Sequence, residues 1–180
     1  MKILLVTPGI NKKFNDNYYA YKYIAENGHM ILAISNIENI LKGAGVEFSP
    51  EVECDGNISI CRVFKTLKEQ RTCYLAMRKY SVIKNIIKKF NPDIVFCENN
   101  INMPLAIKIK KDFHIPIVLR LEFLFDWNSP YDIIGHQKFI KNRITGDILG
   151  KVMGFLYWKY VCYYADEIIS HNPGDHKKIV

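Results

Sequence analysis

Residues 91–123 read NPDIVFCENNINMPLAIKIKKDFHIPIVLRLEF, a strand, a crossover helix and a second strand within about thirty residues. Residues 93–97, opened by Asn91-Pro92, and residues 116–121 are short unbroken apolar runs, the pattern of parallel strands covered on both faces. Between them Pro104 stands in the first helical turn, where a missing N–H costs nothing. Leu105, Ala106, Ile109 and Phe113 then share one face, and Lys108, Lys110 and Lys111 take the other. Such a crossover is right-handed and makes this unit the centre of a parallel sheet. In open parallel sheets ligands bind beyond the carboxyl ends of the strands. That rule singles out Glu98, Asn99 and Asn100 after one strand and Arg120, Glu122 and Phe123 at the end of the next.

Upstream, residues 2–7 form an apolar strand. A polar loop from Pro8-Gly9 to Asn17 leads to a helix over 18–26, with apolar bodies at Tyr19, Ala20, Tyr23 and Ile24. Asp16 or Asn17 is a fitting N-cap and Gly28 a fitting stop. Residues 29–35 are the next strand, so the chain opens strand, helix, strand, as half of a mononucleotide-binding fold does. Residues 36–50 carry no clear period. Asp55-Gly56-Asn57, between two short runs over 52–63, reads as a hairpin or an irregular edge. Over 73–90 Leu75, Val82, Ile83, Ile86, Ile87 and Phe90 recur at helical spacing.

Downstream, a loop-like stretch precedes a second periodic segment over 148–164, ILGKVMGFLYWKYVCYY, apolar nearly all round. That segment is either a helix packed on the sheet, which is the favoured reading, or a helix lying in a membrane interface with its lysines snorkelling. Residues 165–171 are a last strand, and Asn172-Pro173-Gly174-Asp175 sets up a helix start. The 180 residues, 49% hydrophobic and 24% charged, fit one α/β domain, Rossmann-like and three-layered, with a mostly parallel sheet. The net charge of +7 favours an anionic partner. Nucleic acid is not expected, because no aromatic stacking pattern accompanies the lysines. Five cysteines without a CxxC pair suggest neither a disulfide framework nor a zinc site, and a reducing cytoplasm fits them. No stretch is long and apolar enough for a membrane span, so the protein is expected to be soluble or peripheral.

Several residues carry candidate chemistry. Glu98 and Glu122, at the ends of adjacent strands, are an acid–base pair, hydrogen-bonding groups for sugar hydroxyls, or merely solvated strand ends. Arg120 is the cation that holds one of them, as a catalytic or a structural ion pair. The loop over 7–17 leads to a helix N-terminus able to hold a phosphate, but it lacks the glycine spacing of a dinucleotide fingerprint. Gly43-Ala44-Gly45 reads as a turn, and no P-loop sequence occurs. No two histidines have metal-ligand spacing, so no metal site is expected.

Taken in order, MKILLVTPG, AENGHMILAIS, NPDIVFCEN, HIPIVLRLE and YADEIISHN resemble the N-terminal domain of the retaining two-domain glycosyltransferases of family 4, also called group 1. The likeness lies in a glycine–histidine turn before the second strand and in proline–aspartate, isoleucine–proline and alanine–aspartate pairs leading into three later strands. It covers nearly the whole chain. It implies the N-terminal half of a GT-B fold, which mainly binds the acceptor. A C-terminal domain, outside these 180 residues, would hold most of a nucleotide-diphosphate sugar donor and a pair of glutamates. The partners so implied are a sugar or lipid-linked acceptor and that missing domain; separately, the basic surface and the 148–164 segment allow weak contact with anionic membranes.

Residue by residue, the family's first loop corresponds to the segment from Pro8 to Asn17, its usual double glycine reduced to Gly9 alone. At the end of the fifth strand, where the family often carries a histidine near the transferring sugar, this chain has Glu122, the catalytic candidate. Gly9, Asn11, Asn17, Glu98, Asn99 and Arg120 form the expected substrate-binding set. The donor is a substrate and no resident cofactor is implied. The implied mechanism is positioning with electrostatic stabilisation of the leaving diphosphate. The alternative is a non-catalytic membrane-docking or binding subunit that works with a separate donor-binding chain.

Overall fold

The computed structural model describes residues 1–10, 16–41, 45–48, 51–71, 73–99, 102–121, 156 and 159–170. The chain opens with β1 (Lys2–Val6), α1 (Asp16–Glu26) and β2 (Met30–Asn36). A small hairpin, β3 (Glu38–Leu41) and β4 (Gly45–Phe48), and a longer one, β5 (Val52–Asp55) and β6 (Ile58–Phe64), follow. Three helices, α2 (Leu67–Arg71), α3 (Cys73–Arg78) and α4 (Tyr80–Phe90), lead to β7 (Ile94–Glu98), α5 (Met103–Phe113) and β8 (Ile117–Leu121). Residues 159–164 are helical, and β9 (Glu167–Ser170) closes the described chain.

Seven strands form one sheet in the order β5-β6-β2-β1-β7-β8-β9, and every pairing but β5–β6 is parallel. This is the Rossmann-like α/β architecture that the central strand–helix–strand unit predicts. The order reverses at β1, which pairs with β2 on one side and β7 on the other. The gap between the carboxyl ends of β1 and β7 is therefore the topological switch point.

Alternation along the strands sorts the core into two layers. Leu4, Val6, Leu32, Ile34, Val95, Cys97, Ile117 and Leu119 face one way and pack with Ile83 and Ile87 of α4, Leu105 and Ile109 of α5, and Val161. Leu5, Ile31, Ala33, Ile58 and Ile60 face the other way, against Tyr18, Tyr21 and Ala25 of α1. The buried stripe of α1 thus differs from the expected one: Tyr19 and Tyr23 are exposed. Four tyrosines give this helix apolar bodies on every side. The choice falls to those whose hydroxyls find buried or edge partners, Tyr18 donating to Asp55 and Tyr21 to Glu98.

Other departures are local. The helix expected over 73–90 breaks at Lys79, yet Ala76, Tyr80, Ile83 and Ile87 keep one continuous buried stripe across the break. The patternless stretch after β2 holds the β3–β4 hairpin. Helix α2 also escaped the periodicity reading, although Thr66 and Glu69 sign it. Thr66 Oγ1 accepts from Glu69 N at 3.0 Å, and Glu69 Oε2 accepts from Lys65 N at 2.7 Å, close to a capping box. Helices α4 and α5 end on Asn91 and His114, both left-handed with φ of 51° and 58°. The loop before the 148–164 segment, most of that segment and the helix start at 172–175 lie outside the described residues.

Ile87 is fully buried beneath the sheet. Ile87→Ala should cost about 2–5 kcal/mol, read as a lower urea midpoint, because a cavity adds to the lost transfer energy. An unchanged midpoint would mean that α4 does not pack as described.

Candidate functional site

The carboxyl ends of β1, β2, β7 and β8 carry polar residues just where each apolar run stops, and several are buried: Thr7, Asn36, Glu98 and, at the start of α5, Asn102. Glu98 is the centre. Only 3% exposed, its carboxylate accepts hydrogen bonds from Thr7 Oγ1 beyond β1 and Tyr21 Oη of α1, and one from Arg120 of β8 at 2.9 Å. All four residues lie on the α1 face of the sheet. A buried carboxylate is costly unless it is paired and its lone pairs are filled, and here donors from three elements do both. A threonine hydroxyl has one proton, which goes to Glu98, while Gly9 N donates to the same oxygen at 3.3 Å. Burial, reinforced by the Glu98 charge, raises the Tyr21 phenol above its ordinary range, so Tyr21 is a neutral donor.

The opposite face of the same edge is built from three carboxamides. Asn36 of β2 donates to Gln70 Oε1 of α2 at 2.8 Å and to the Pro8 carbonyl. Gln70 Nε2 donates to the Thr7 carbonyl at 2.7 Å and to Asn102 Oδ1 at 3.2 Å, and Asn102 Nδ2 donates to the Glu98 carbonyl at 2.8 Å. Thr7 and Glu98 belong to both networks, through side chains on one face and carbonyls on the other. Because Thr7 follows β1 and Glu98 ends β7, their bond spans the switch point itself.

Of the expected substrate-binding residues, the structure brings Glu98 and Arg120 into one ion pair and ties Gly9 to it through Thr7. Asn99 stands directly above. Its backbone is left-handed, with φ of 69°, and its N–H donates to the Arg120 carbonyl at 2.9 Å, so it leaves the extended path of β7 while still bonded to β8. An added Cβ at Gly9 would meet nothing within 4 Å, so no close contact demands a glycine there. Asn17 lies in the first turn of α1. Asn11 and Glu122 lie outside the described residues. Among the described residues no three His, Cys, Asp or Glu side chains gather into a metal-ligand set.

Thr7, Tyr21, Asn36, Gln70 and Asn102 were not singled out from sequence. The usable signal was position, since Thr7 and Asn36 are the first polar side chains after continuous apolar runs that end at one sheet edge. Gln70 and Tyr21 carried no such mark. The cluster is a scaffold that ties the ends of β1, β2, β7 and β8 to α1 and α2, with Asn36 Oδ1 buried and without a hydrogen-bond partner among the described residues.

Glu98→Ala should therefore lower stability by about 3 kcal/mol, since it takes a buried acceptor from a guanidinium and two hydroxyls at once. Glu98→Gln, which keeps the shape and two acceptor lone pairs, should cost less. Urea unfolding of both variants checks the ranking, and a wild-type midpoint for Glu98→Ala would show that the cluster does not hold the edge.

No protein-family model matches the chain, and no curated protein matches it in sequence. Solved structures do match in fold. Sucrose-phosphate synthase from Thermosynechococcus elongatus superposes with a TM-score of 0.66 at 12% identity, over 99% of this chain and 44% of that one. An alpha,alpha-trehalose-phosphate synthase (UDP-forming) from Burkholderia vietnamiensis gives 0.55 at 11% identity, over 99% and 41%. Phytolacca americana UGT2, complexed with UDP-2-fluoro-glucose and pterostilbene, gives 0.55 at 8% identity, over 97% and 48%. The chain thus spans less than half the length of each of these proteins. At such identities the likeness is one of fold, and the fold is one found in GT-B glycosyltransferases.

Proposed function

We propose that this chain is the acceptor-binding domain of a glycosyltransferase, and that a second domain following it holds the nucleotide-diphosphate sugar. The observation that carries the reading is the switch-point cluster. A Rossmann-like sheet offers its ligand site where the strand order reverses, and here that place is prearranged by the Thr7–Glu98–Arg120–Tyr21 bonds. The fold likeness to sugar-phosphate synthases over less than half of their length supports the two-domain part.

In this reading the buried Glu98 is a positioning residue. It holds Arg120 and the turn at Asn99, and the groups that touch the acceptor belong to the segments above: Gly9, Asn11, Asn17, Asn99 and Glu122. Glu122, which follows β8 directly in sequence, is assigned the contact with the reacting hydroxyl. Transfer proceeds with retention, without a metal, by orienting the acceptor against the donor and stabilising the leaving diphosphate in the closed interdomain cleft. The protein acts in the cytoplasm.

The test uses the complete two-domain protein. Glu122→Ala, and Asn99→Gly, which keeps the left-handed backbone, should each reduce transfer about tenfold or more, equivalent to about 1.4 kcal/mol, with the urea midpoint retained. Wild-type rates in both variants would overturn the site assignment. The 180-residue chain alone should bind nucleotide sugars too weakly for calorimetric detection and show no turnover. Turnover at the rate of the complete protein would overturn the division of labour.

A further inference from the structure

A second buried cation stands apart from the switch point. Arg62 of β6 has a fully buried side chain, and its Nη2 donates to Glu53 Oε2 of β5 at 2.8 Å and to the Ile10 carbonyl at 3.1 Å. Glu53 matches the charge from the neighbouring strand and stays 23% exposed. The bond to Ile10 joins residues 52 positions apart and fastens the chain shortly after it leaves β1. Ile10 is itself buried, in the layer packed between the sheet and α1. Just ahead of it Gly9 N donates to Thr7 Oγ1, so Gly9 stands between two anchors.

The same hairpin takes hold of the chain again in α1. Asp55, the last residue of β5, accepts from Tyr18 Oη in the first helical turn, with Lys22 Nζ 4.0 Å away. Asn57, in the hairpin turn, donates through Nδ2 to the Ala25 carbonyl at 3.1 Å. The β5–β6 hairpin therefore grips the connection from β1 to α1 on both sides of residues 11–15. Core packing does not account for Arg62, because an apolar side chain of similar volume fills a buried position without the cost of desolvating a charge. What a guanidinium adds is direction: its planar fork fixes the orientation of the peptide whose carbonyl it holds.

We infer that Arg62 is a positioning residue for acceptor binding. Through the Ile10 carbonyl it sets the peptide next to Gly9, and the hairpin that carries it is a clasp on the β1–α1 connection. The inference rests on the acceptor role proposed above for that connection. The clasp itself is tested without any sugar, so its failure is distinct from failure of that role.

The test uses the complete two-domain protein and the double variant Arg62→Met with Glu53→Gln, which keeps the volume and leaves no unpaired buried charge. Limited trypsin digestion reads the clasp at Lys12 and Lys13, between its two grips. Nicking there should be about fivefold faster or more in the double variant. Ile87→Ala, which loosens the other core layer, should leave nicking at wild-type rates under native conditions. Transfer is read with UDP- and GDP-hexoses as donor probes and free hexoses as acceptor probes. The double variant should raise the acceptor KM about tenfold, with kcat and the donor KM within about twofold of wild type. Arg62→Lys, a milder change that keeps a charge beside Glu53 but loses the fork, should move both readouts in the same direction. Unchanged nicking in the double variant and in Arg62→Lys would overturn the clasp. A wild-type acceptor KM alongside faster nicking would overturn the positioning role, as would an equal rise of KM in Ile87→Ala.

Discussion

One buried carboxylate organises this molecule. Removing Glu98 from water carries a penalty of several kcal/mol, and the chain keeps the charge there only because β1, α1 and β8 each deliver a donor to it. Those donors come from residues 91, 77 and 22 positions away in sequence. The carboxylate therefore demands that β1 and β7 be neighbours, that β8 lie beyond β7 in register, and that α1 cover this face with Tyr21 inward. Apolar burial would tolerate small slips among these elements. A four-member hydrogen-bonded cluster in a low-dielectric site tolerates far less, since each lost bond leaves an uncompensated group.

The carboxamide network does the same on the other face, and the two are coupled through Thr7 and Glu98. Thr7 bonds Glu98 through its hydroxyl on one face and Gln70 through its carbonyl on the other. The short helix α2, of only five residues, is tied to this rim by Gln70. The result is a stiff rim at the end of the sheet where loops emerge. A binding surface carried on loops gains its precision from such a support, because loop positions alone are too loosely determined to hold a ligand.

How much of this could be read from the chain depends on where the determinants lie. The β7–α5–β8 unit was legible because its evidence is local: two uninterrupted apolar runs, a first-turn proline and a lysine-bearing outer face. The rim was legible as a place, through the carboxyl-end rule, but not as a network. Nothing adjacent to Glu98 says whether it is solvated or buried, since its partners come from distant segments. The inward face of α1 was misjudged for a related reason. Tyrosines at 18, 19, 21 and 23 are equivalent by hydropathy, and only the tertiary positions of Asp55 and Glu98 distinguish them. The β3–β4 hairpin left no signal because four-residue strands are too short to establish a period.

The charge placed at the switch point also bears on what this edge can accept. Folds that hold a dinucleotide there bring bare backbone N–H groups and a helix N-terminus to a pyrophosphate, with glycines allowing close approach. Here the Thr7–Glu98 bond fills the gap with a carboxylate whose charge is matched by Arg120. The pair offers a phosphate no net attraction, and a second anion would compete with Glu98 for the guanidinium it already holds at 2.9 Å. Hydroxyl groups face no such conflict. They donate and accept with equal ease and bring no charge to be neutralised, so the hydroxyl-rich ligands proposed above would not compete for the Glu98–Arg120 pair. That is the chemistry the proposed acceptor role would require of this edge.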